Sequence, residues 1–181
     1  MLFLKSGEGD CRVFDDLLKE FREWLKPLSE GSGAAFWALI EMVGYDAGEE
    51  KKKLEENAKF LDLKLIRTFD KNGTQAILLE HDTHIFLGFR GTEVTSIRDI
   101  KSDLKAVIKT CETGGKIHTG FDEAFSQVDV EIQQFLNQDE FKEKPLFITG
   151  RSLSGALATI AAKKLTHKGG LVSCYTFGSP M

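Results

Sequence analysis

The chain has 181 residues, enough for one domain with a sizeable core, and its 41% hydrophobic and 29% charged residues are typical of a globular protein. Its net charge of -4 excludes a strongly basic surface, so we expect no nucleic-acid partner. The longest apolar run, from Ala34, is about half a membrane span. The cysteines (Cys11, Cys111 and Cys174) are scattered, and the apolar N-terminal stretch is too short for a signal peptide, so we expect a cytoplasmic protein with reduced thiols.

The N-terminal third of the chain has the periodicity of helices. Apolar residues recur on one face over 13–25 and over 49–62, whereas residues 34–44 are nearly all apolar, which is typical of an enclosed helix. No low-complexity linker or internal repeat separates this part from the rest. We therefore expect a single domain over 1–181, in which 1–63 is mainly helical.

From residue 64 onwards the hydrophobic period becomes that of strands. Residues 64–69, 74–80 and 84–91 are predicted strands. The Asn-Gly pair within 70–73 predicts a hairpin turn between the first two, because these residues accept positive φ at low cost. A helical period returns over 121–136, with the apolar residues on one face.

The last part of the chain alternates strand, helix and strand. Residues 145–150 form a short apolar run, 156–165 has the composition of a helix, and 171–178 is another apolar run. Two strands joined by a helix require a parallel crossover. This order predicts an α/β sheet.

A serine lies where the strand over 145–150 meets the next helix, in the stretch GRSLSG. A sharp turn from strand to helix exposes one side chain at the sheet edge and points free helix amides at it, which favours a nucleophilic Ser152. The neighbours of such a serine must be small. Gly150 meets this requirement, whereas Ser154 adds a Cβ and a hydroxyl and meets it only in part. From these residues alone, an equal alternative is that Ser152 merely caps the helix.

The chain contains, in this order, the segments FLGFRGTE (86–93), SIRDIKSDL (96–104), KIHTGFDEAF (116–125), FITGRSLSGALATIAA (147–162) and YTFGSP (175–180). These five segments resemble motifs of the class 3 (fungal-type) lipases in the α/β-hydrolase superfamily. The resemblance implies an α/β-hydrolase fold with a mixed, mostly parallel sheet that is partial and lacks the C-terminal strands, preceded by an N-terminal helical region. Three positions depart from the family pattern, since Ile100, Arg151 and Ser154 stand where the family usually has an aromatic residue, His and Gly.

The resemblance also implies roles for particular residues. Ser152 would be the nucleophile, and the backbone N–H groups of Thr92 and Leu153 would form the oxyanion hole, with the Thr92 hydroxyl as a further donor. Residues 93–104 would form or flank a lid that opens at a lipid surface. The substrate would be an ester or a lipid-like molecule, and contact with a lipid surface would be transient.

We expect no metal and no organic cofactor. His81 and His84 have a spacing of three residues at a predicted turn, but further ligands for a metal ion are not evident in the sequence.

The family's catalytic acid and base are missing from the chain. In α/β hydrolases the order is Ser, then Asp or Glu, then His, but after Ser152 the chain has no Asp or Glu and only one His. That residue, His167, would lie about 22 Å away along a helix. His118 with Asp99 or Asp103 would be a replacement pair, although a structural role for His118 in a tight turn is favoured.

These absences leave three interpretations open. The chain is an apparently truncated ester hydrolase, or a noncatalytic relative that binds an apolar ligand or a protein, or a hydrolase whose base is His118 or comes from a partner chain. Arg151 and Ser154 favour the second, since Ser154 is expected to strain or loosen the turn. The strand over 171–178 would present an apolar edge that a homodimer or a missing C-terminal segment would cover.

Overall fold

The computed structural model describes residues 55–56, 58–59, 63–90, 108–111, 114–177 and 179. The helices predicted over 13–25 and 34–44 lie outside these residues. Within the helix predicted over 49–62, the four described residues are helical, and Ala58 among them is buried. None of the described helices has the length and apolar character needed to cross a membrane.

Five strands form one mixed sheet in the order β1-β2-β3-β6-β7, and β4 pairs with β5 in a separate antiparallel ribbon. The pairs β1–β2 and β2–β3 are antiparallel, whereas β3–β6 and β6–β7 are parallel, so β2 alone of these five strands is reversed. The predicted mixed, mostly parallel sheet of the α/β-hydrolase type is confirmed. The strands are β1 (Lys64–Lys71), β2 (Thr74–Glu80), β3 (Ile85–Phe89), β4 (Ile108–Thr110), β5 (Lys116–His118), β6 (Leu146–Arg151) and β7 (Leu171–Phe177).

The β1–β2 hairpin turns at the predicted place. Lys71 pairs with Thr74, and the two residues between them, Asn72 and Gly73, have φ values of 50° and 79°. Both values lie in the left-handed region, which Asn and Gly enter at low cost. A two-residue turn of this kind matches the twist of the strands that it joins.

The described part of the chain contains three longer helices that pack against the sheet. The crossover from β6 to β7 runs through the third, which confirms the predicted strand–helix–strand unit. That helix begins three residues earlier than predicted, directly after Ser152. The helices are α1 (Thr119–Ser126), α2 (Asp129–Leu136) and α3 (Leu153–Lys164).

The helical period predicted over 121–136 is confirmed, but the chain breaks between α1 and α2 instead of forming one continuous helix. The N–H groups of Gln127 and Val128 bond back only three residues, to the carbonyls of Ala124 and Phe125, at 3.2 and 3.0 Å. The hydroxyl of Thr74 donates to the Ala124 carbonyl at 3.0 Å and so satisfies the acceptor that a continuous helix would have used. The break is therefore accompanied by a tertiary contact from β2 that periodicity does not show.

The core lies between one face of the sheet and these helices. Alternate residues of the strands point to this face, as their period of two requires. Each buried side chain of this kind contributes about 1.5–3 kcal/mol relative to an exposed one. The largest buried side chains of the cluster are Phe69, Leu78, Ile85, Leu87, Phe89, Phe125, Ile132, Leu136, Phe141, Leu146 and Ile148.

Candidate active site

Ser152 lies at the junction of β6 and α3 in a conformation that residues other than glycine rarely adopt. Its φ is 57° and its ψ is -126°. In the described part of the chain, only Asn72 among other non-glycine residues has a positive φ. Such a conformation costs on the order of 1–3 kcal/mol and persists only where the surrounding structure imposes it.

The hydroxyl of Ser152 is not used to cap α3. Ser152 occupies the N-cap position, but its side chain makes no capping hydrogen bond and the residue is exposed. The alternative that Ser152 merely caps the helix does not fit this geometry. The arrangement instead presents a hydroxyl to solvent at the start of a helix.

The close approach of β6 and α3 explains the glycine before the serine. A Cβ on Gly150 would lie 2.6 Å from the carbonyl carbon of Ser154 and nearer still to the carbonyl oxygen. Gly155 is also confined, since its Cβ would lie 2.8 Å from the Cβ of Ser179. The expectation that the turn is too crowded for a larger residue at Gly150 is confirmed.

Ser154 stabilises the turn that it was expected to loosen. Its side chain is fully buried, and its Oγ donates to the Arg151 carbonyl at 2.7 Å and accepts from the Arg151 N–H at 2.8 Å. The Arg151 carbonyl belongs to the peptide that leads into Ser152, so this hydroxyl holds the turn directly. The expectation that Ser154 loosens the turn does not fit these two hydrogen bonds.

Of the two predicted oxyanion donors, the structure describes Leu153. Its amide is the first of α3 and belongs to the helix turn whose N–H groups have no intrahelical acceptor. Thr92 and the segment over 93–104 that was expected to form a lid lie outside the described residues, so both remain predictions.

His118 caps α1. Its Nδ1 accepts the N–H of Gly120 at 3.1 Å, and its ring lies 5.3 Å from that of Phe121, measured between centroids. This is the structural role that the sequence favoured for His118. Asp99 and Asp103, the acids considered for it, lie outside the described residues.

His167 is held far from Ser152. α3 ends at Lys164, and Nε2 of His167 lies 2.6 Å from the Lys144 carbonyl oxygen. The helix between Ser152 and this region spans about 18 Å. His167 is therefore not positioned as a base for Ser152.

The two other described histidines lie at the β2–β3 turn. Nδ1 of His81 and Nδ1 of His84 lie 3.0 and 2.6 Å from the Thr83 hydroxyl. Within the described ranges, no group of three or more His, Cys, Asp or Glu residues could hold a metal ion.

α1 carries a buried carboxylate that was not predicted from the sequence. Asp122 lies 2.6 Å from the Lys109 ammonium and 2.5 Å from that of Lys164. Burial alone would raise the pKa of Asp122, but the hydrogen bonds and charges of the two lysines hold it below its ordinary value. The sequence offered one signal for this buried carboxylate, namely an acidic residue between apolar ones in KIHTGFDEAF. Because Lys164 ends α3 opposite Ser152, Asp122 is not an acid for that serine.

The mixed sheet and the strained serine turn are those of the α/β-hydrolase fold. Residues 86–181, more than half of the chain, match the Lipase (class 3) family. The chain therefore belongs to the class 3 lipases, as its sequence motifs predicted.

Several individual lipases are similar to parts of this chain. Secreted mono- and diacylglycerol lipase 1 of Fusarium solani is 40% identical over 77 residues, which are 40% of this chain and 23% of that protein. Native Rhizomucor miehei lipase in its propeptide complex has a TM-score of 0.56 and 23% identity, covering 95% of this chain and 54% of that one. A Rhizopus microsporus var. chinensis lipase has a TM-score of 0.54 and 26% identity, covering 91% and 58%. The chain thus spans about a quarter of the first relative and little more than half of the two solved lipases.

The predicted cytoplasmic location is contradicted by this comparison, because the Fusarium solani relative is a secreted lipase. The prediction rested partly on cysteines without obvious partners. In the structure, however, Cys111 is buried, and burial raises the pKa of the Cys174 thiol. Thiols that are shielded and protonated react slowly with oxidants, so their presence does not argue for a reducing compartment.

Proposed function

We propose that the chain carries the nucleophile of a lipase-type carboxylic ester hydrolase, and that this nucleophile is Ser152. One observation carries the proposal: Ser152 keeps a strained backbone, with a φ of 57°, while its hydroxyl stays exposed and caps nothing. In the described part of the chain, the Ser152 side chain makes no capping hydrogen bond that would offset this strain. The strained backbone does place a hydroxyl beside the free amides of α3, where an attacking oxygen is required.

The chemistry follows from this placement. The Ser152 Oγ attacks the ester carbonyl carbon and loses its proton to a base, and the resulting tetrahedral intermediate expels the alcohol to leave an acyl-enzyme. Water then attacks the acyl group and releases the carboxylic acid. The Leu153 N–H, together with the N–H and hydroxyl of Thr92, would stabilise the negative oxygen of each tetrahedral intermediate.

The base and the acid must come from other residues. His118 caps α1, His167 is bound to the Lys144 carbonyl, and Asp122 is held between two lysines. The chain spans 54% and 58% of the two solved lipases of this fold. We infer that the missing pair belongs to the part of the fold that these residues do not span.

The substrate class is inferred from the family and from the relatives of the chain. The name of the Fusarium solani relative records mono- and diacylglycerols and secretion. We propose lipid esters as substrates, transient contact with a lipid surface, and action outside the cell.

The exposed edge of the sheet is expected to be covered by another segment or by another chain. β7 is an edge strand of the described sheet, and its Leu171 and Val172 are 43% and 41% exposed. Either the rest of the fold or a second copy of the chain would cover this apolar edge.

An inactive lipid-binding relative is the second candidate. The observation that favours it is Arg151, which stands where the family usually has His before the nucleophile. A protein that only binds lipid would not require the strained backbone of Ser152, so a hydrolase explains the structure better.

Ester hydrolysis by the protein, purified in the form that its source makes, tests the proposal. We expect turnover of a para-nitrophenyl ester and of a diacylglycerol, with a rate that falls by at least about 1000-fold in Ser152→Ala. Ser126→Ala is the matched control, since Ser126 is exposed and its hydroxyl donates only locally, to the Glu123 carbonyl at 2.7 Å. Equal rates in Ser152→Ala and the wild type would refute the proposal, and micelle binding without turnover would favour the inactive relative.

A further inference from the structure

The two residues in which the serine turn departs from the family pattern are bonded to each other. The Ser154 hydroxyl binds both the N–H and the carbonyl of Arg151. Because both polar groups of the Arg151 backbone are held, the direction of its Cα–Cβ bond is fixed. Gly150 faces α3, so the alternation of the strand places the Arg151 side chain on the opposite face. This is the carboxyl end of the parallel strands, where α/β proteins bind ligands.

The guanidinium of Arg151 has no partner in the described part of the chain, and the residue is exposed. The two other described arginines are engaged, since Arg67 lies 2.7 Å from Glu131 and Arg90 donates to Gln75 at 2.5 Å. A permanent positive charge therefore stands one residue from Ser152.

We propose that Arg151 determines the charge of the substrate by selecting lipid esters that carry a phosphate or carboxylate near the scissile bond. The inference rests on the proposed function, because Ser152 marks the position of that bond. Adjacent Cα atoms are about 3.8 Å apart, so a head group joined to an ester at Ser152 lies within reach of the long Arg151 side chain. The planar guanidinium forms paired hydrogen bonds with either anion, and a neutral acylglycerol lacks this contact.

Binding of two alkyl ligands tests this selection without depending on turnover. Decyl phosphate and decanol are titrated calorimetrically below their critical micelle concentrations into the wild type, Arg151→Gln and Lys71→Gln. Gln removes the charge of Arg151 and keeps a polar side chain. Lys71 is the matched control, since it is exposed, makes no ion pair with the described residues, and lies on β1, three strands away from β6 in the sheet.

We expect the wild type to bind decyl phosphate roughly tenfold more tightly than decanol. The ratio should fall to about one in Arg151→Gln and persist in Lys71→Gln. An unchanged ratio in Arg151→Gln, an equal loss in Lys71→Gln, or no binding of either ligand would overturn the proposal. Displacement of decyl phosphate by an equal concentration of inorganic phosphate would also overturn it, since the site would then take a free anion.

Fluorophosphonate labelling of Ser152 in the same preparations separates this inference from the proposed function. If Ser152 is labelled but the ratio of the two affinities does not depend on Arg151, only the proposal that Arg151 selects charged substrates is refuted. An Arg151-dependent ratio without labelling refutes only the hydrolase.

Discussion

Replacing Gly150 by alanine should destabilise the protein strongly, because β6 and α3 touch there through their backbones. The added Cβ would lie 2.6 Å from the Ser154 carbonyl carbon, whereas contacts of a Cβ under 3.0 Å are essentially never seen. Strand and helix must therefore separate by at least 0.4 Å, the difference between these two distances, and no side-chain rotation can relieve the contact. Overpacking costs about 1–3 kcal/mol and sometimes more. Since the shift also disturbs the packing of buried Leu157 and Ala158 on α3, we expect a loss of about 3–4 kcal/mol.

Urea denaturation followed by circular dichroism measures this loss, with Gly120→Ala as the control. A Cβ on Gly120 would lie 3.5 Å from the His118 ring, an ordinary contact, and the position is helical. Alanine there should raise the free energy of unfolding by about 0.5–1 kcal/mol. A Gly150→Ala protein within about 1 kcal/mol of the wild type would refute the close approach of strand and helix.

Two further substitutions test the contacts around the site. Ser154→Ala removes both hydrogen bonds to the Arg151 backbone, so we expect a destabilisation of about 2–3 kcal/mol in urea denaturation, and an unchanged midpoint would contradict the role of this hydroxyl. Asp122 has a depressed pKa in the folded protein, so its contribution to stability is present above the unfolded pKa of about 3.9 and is lost as the pH falls through the lower folded pKa. Urea midpoints measured from pH 6 down to pH 2 should therefore fall less steeply at the acid end in Asp122→Asn, and parallel curves would show that Lys109 and Lys164 do not hold this carboxylate.

The parts of the fold that follow from local chemistry were predictable from the sequence. Asn72 and Gly73 specify the hairpin because few other residues accept positive φ at two successive positions. Gly150 was identified for a similarly local reason, since the turn it precedes has no room for a side chain.

The parts that depend on distant residues were not predictable. The break between α1 and α2 is stabilised by Thr74, which lies 50 residues before the carbonyl that it binds. The ion pairs of Asp122 join β4 to the end of α3, and their partners are brought together only by the fold. Ser154 was misjudged because its hydroxyl finds the Arg151 backbone only once the chain has turned at Ser152.

The most direct test of Ser152 as an activated nucleophile is reaction with a fluorophosphonate, carried out on the protein as its source makes it. Trypsin cleaves after Arg151 and Lys163, so the adduct can be located by fragmentation of the peptide 152–163, which contains both Ser152 and Ser154. We predict a stoichiometric adduct on Ser152 that is absent from Ser152→Ala. A folded protein that stays unmodified, or that carries the adduct on Ser154, would contradict the account.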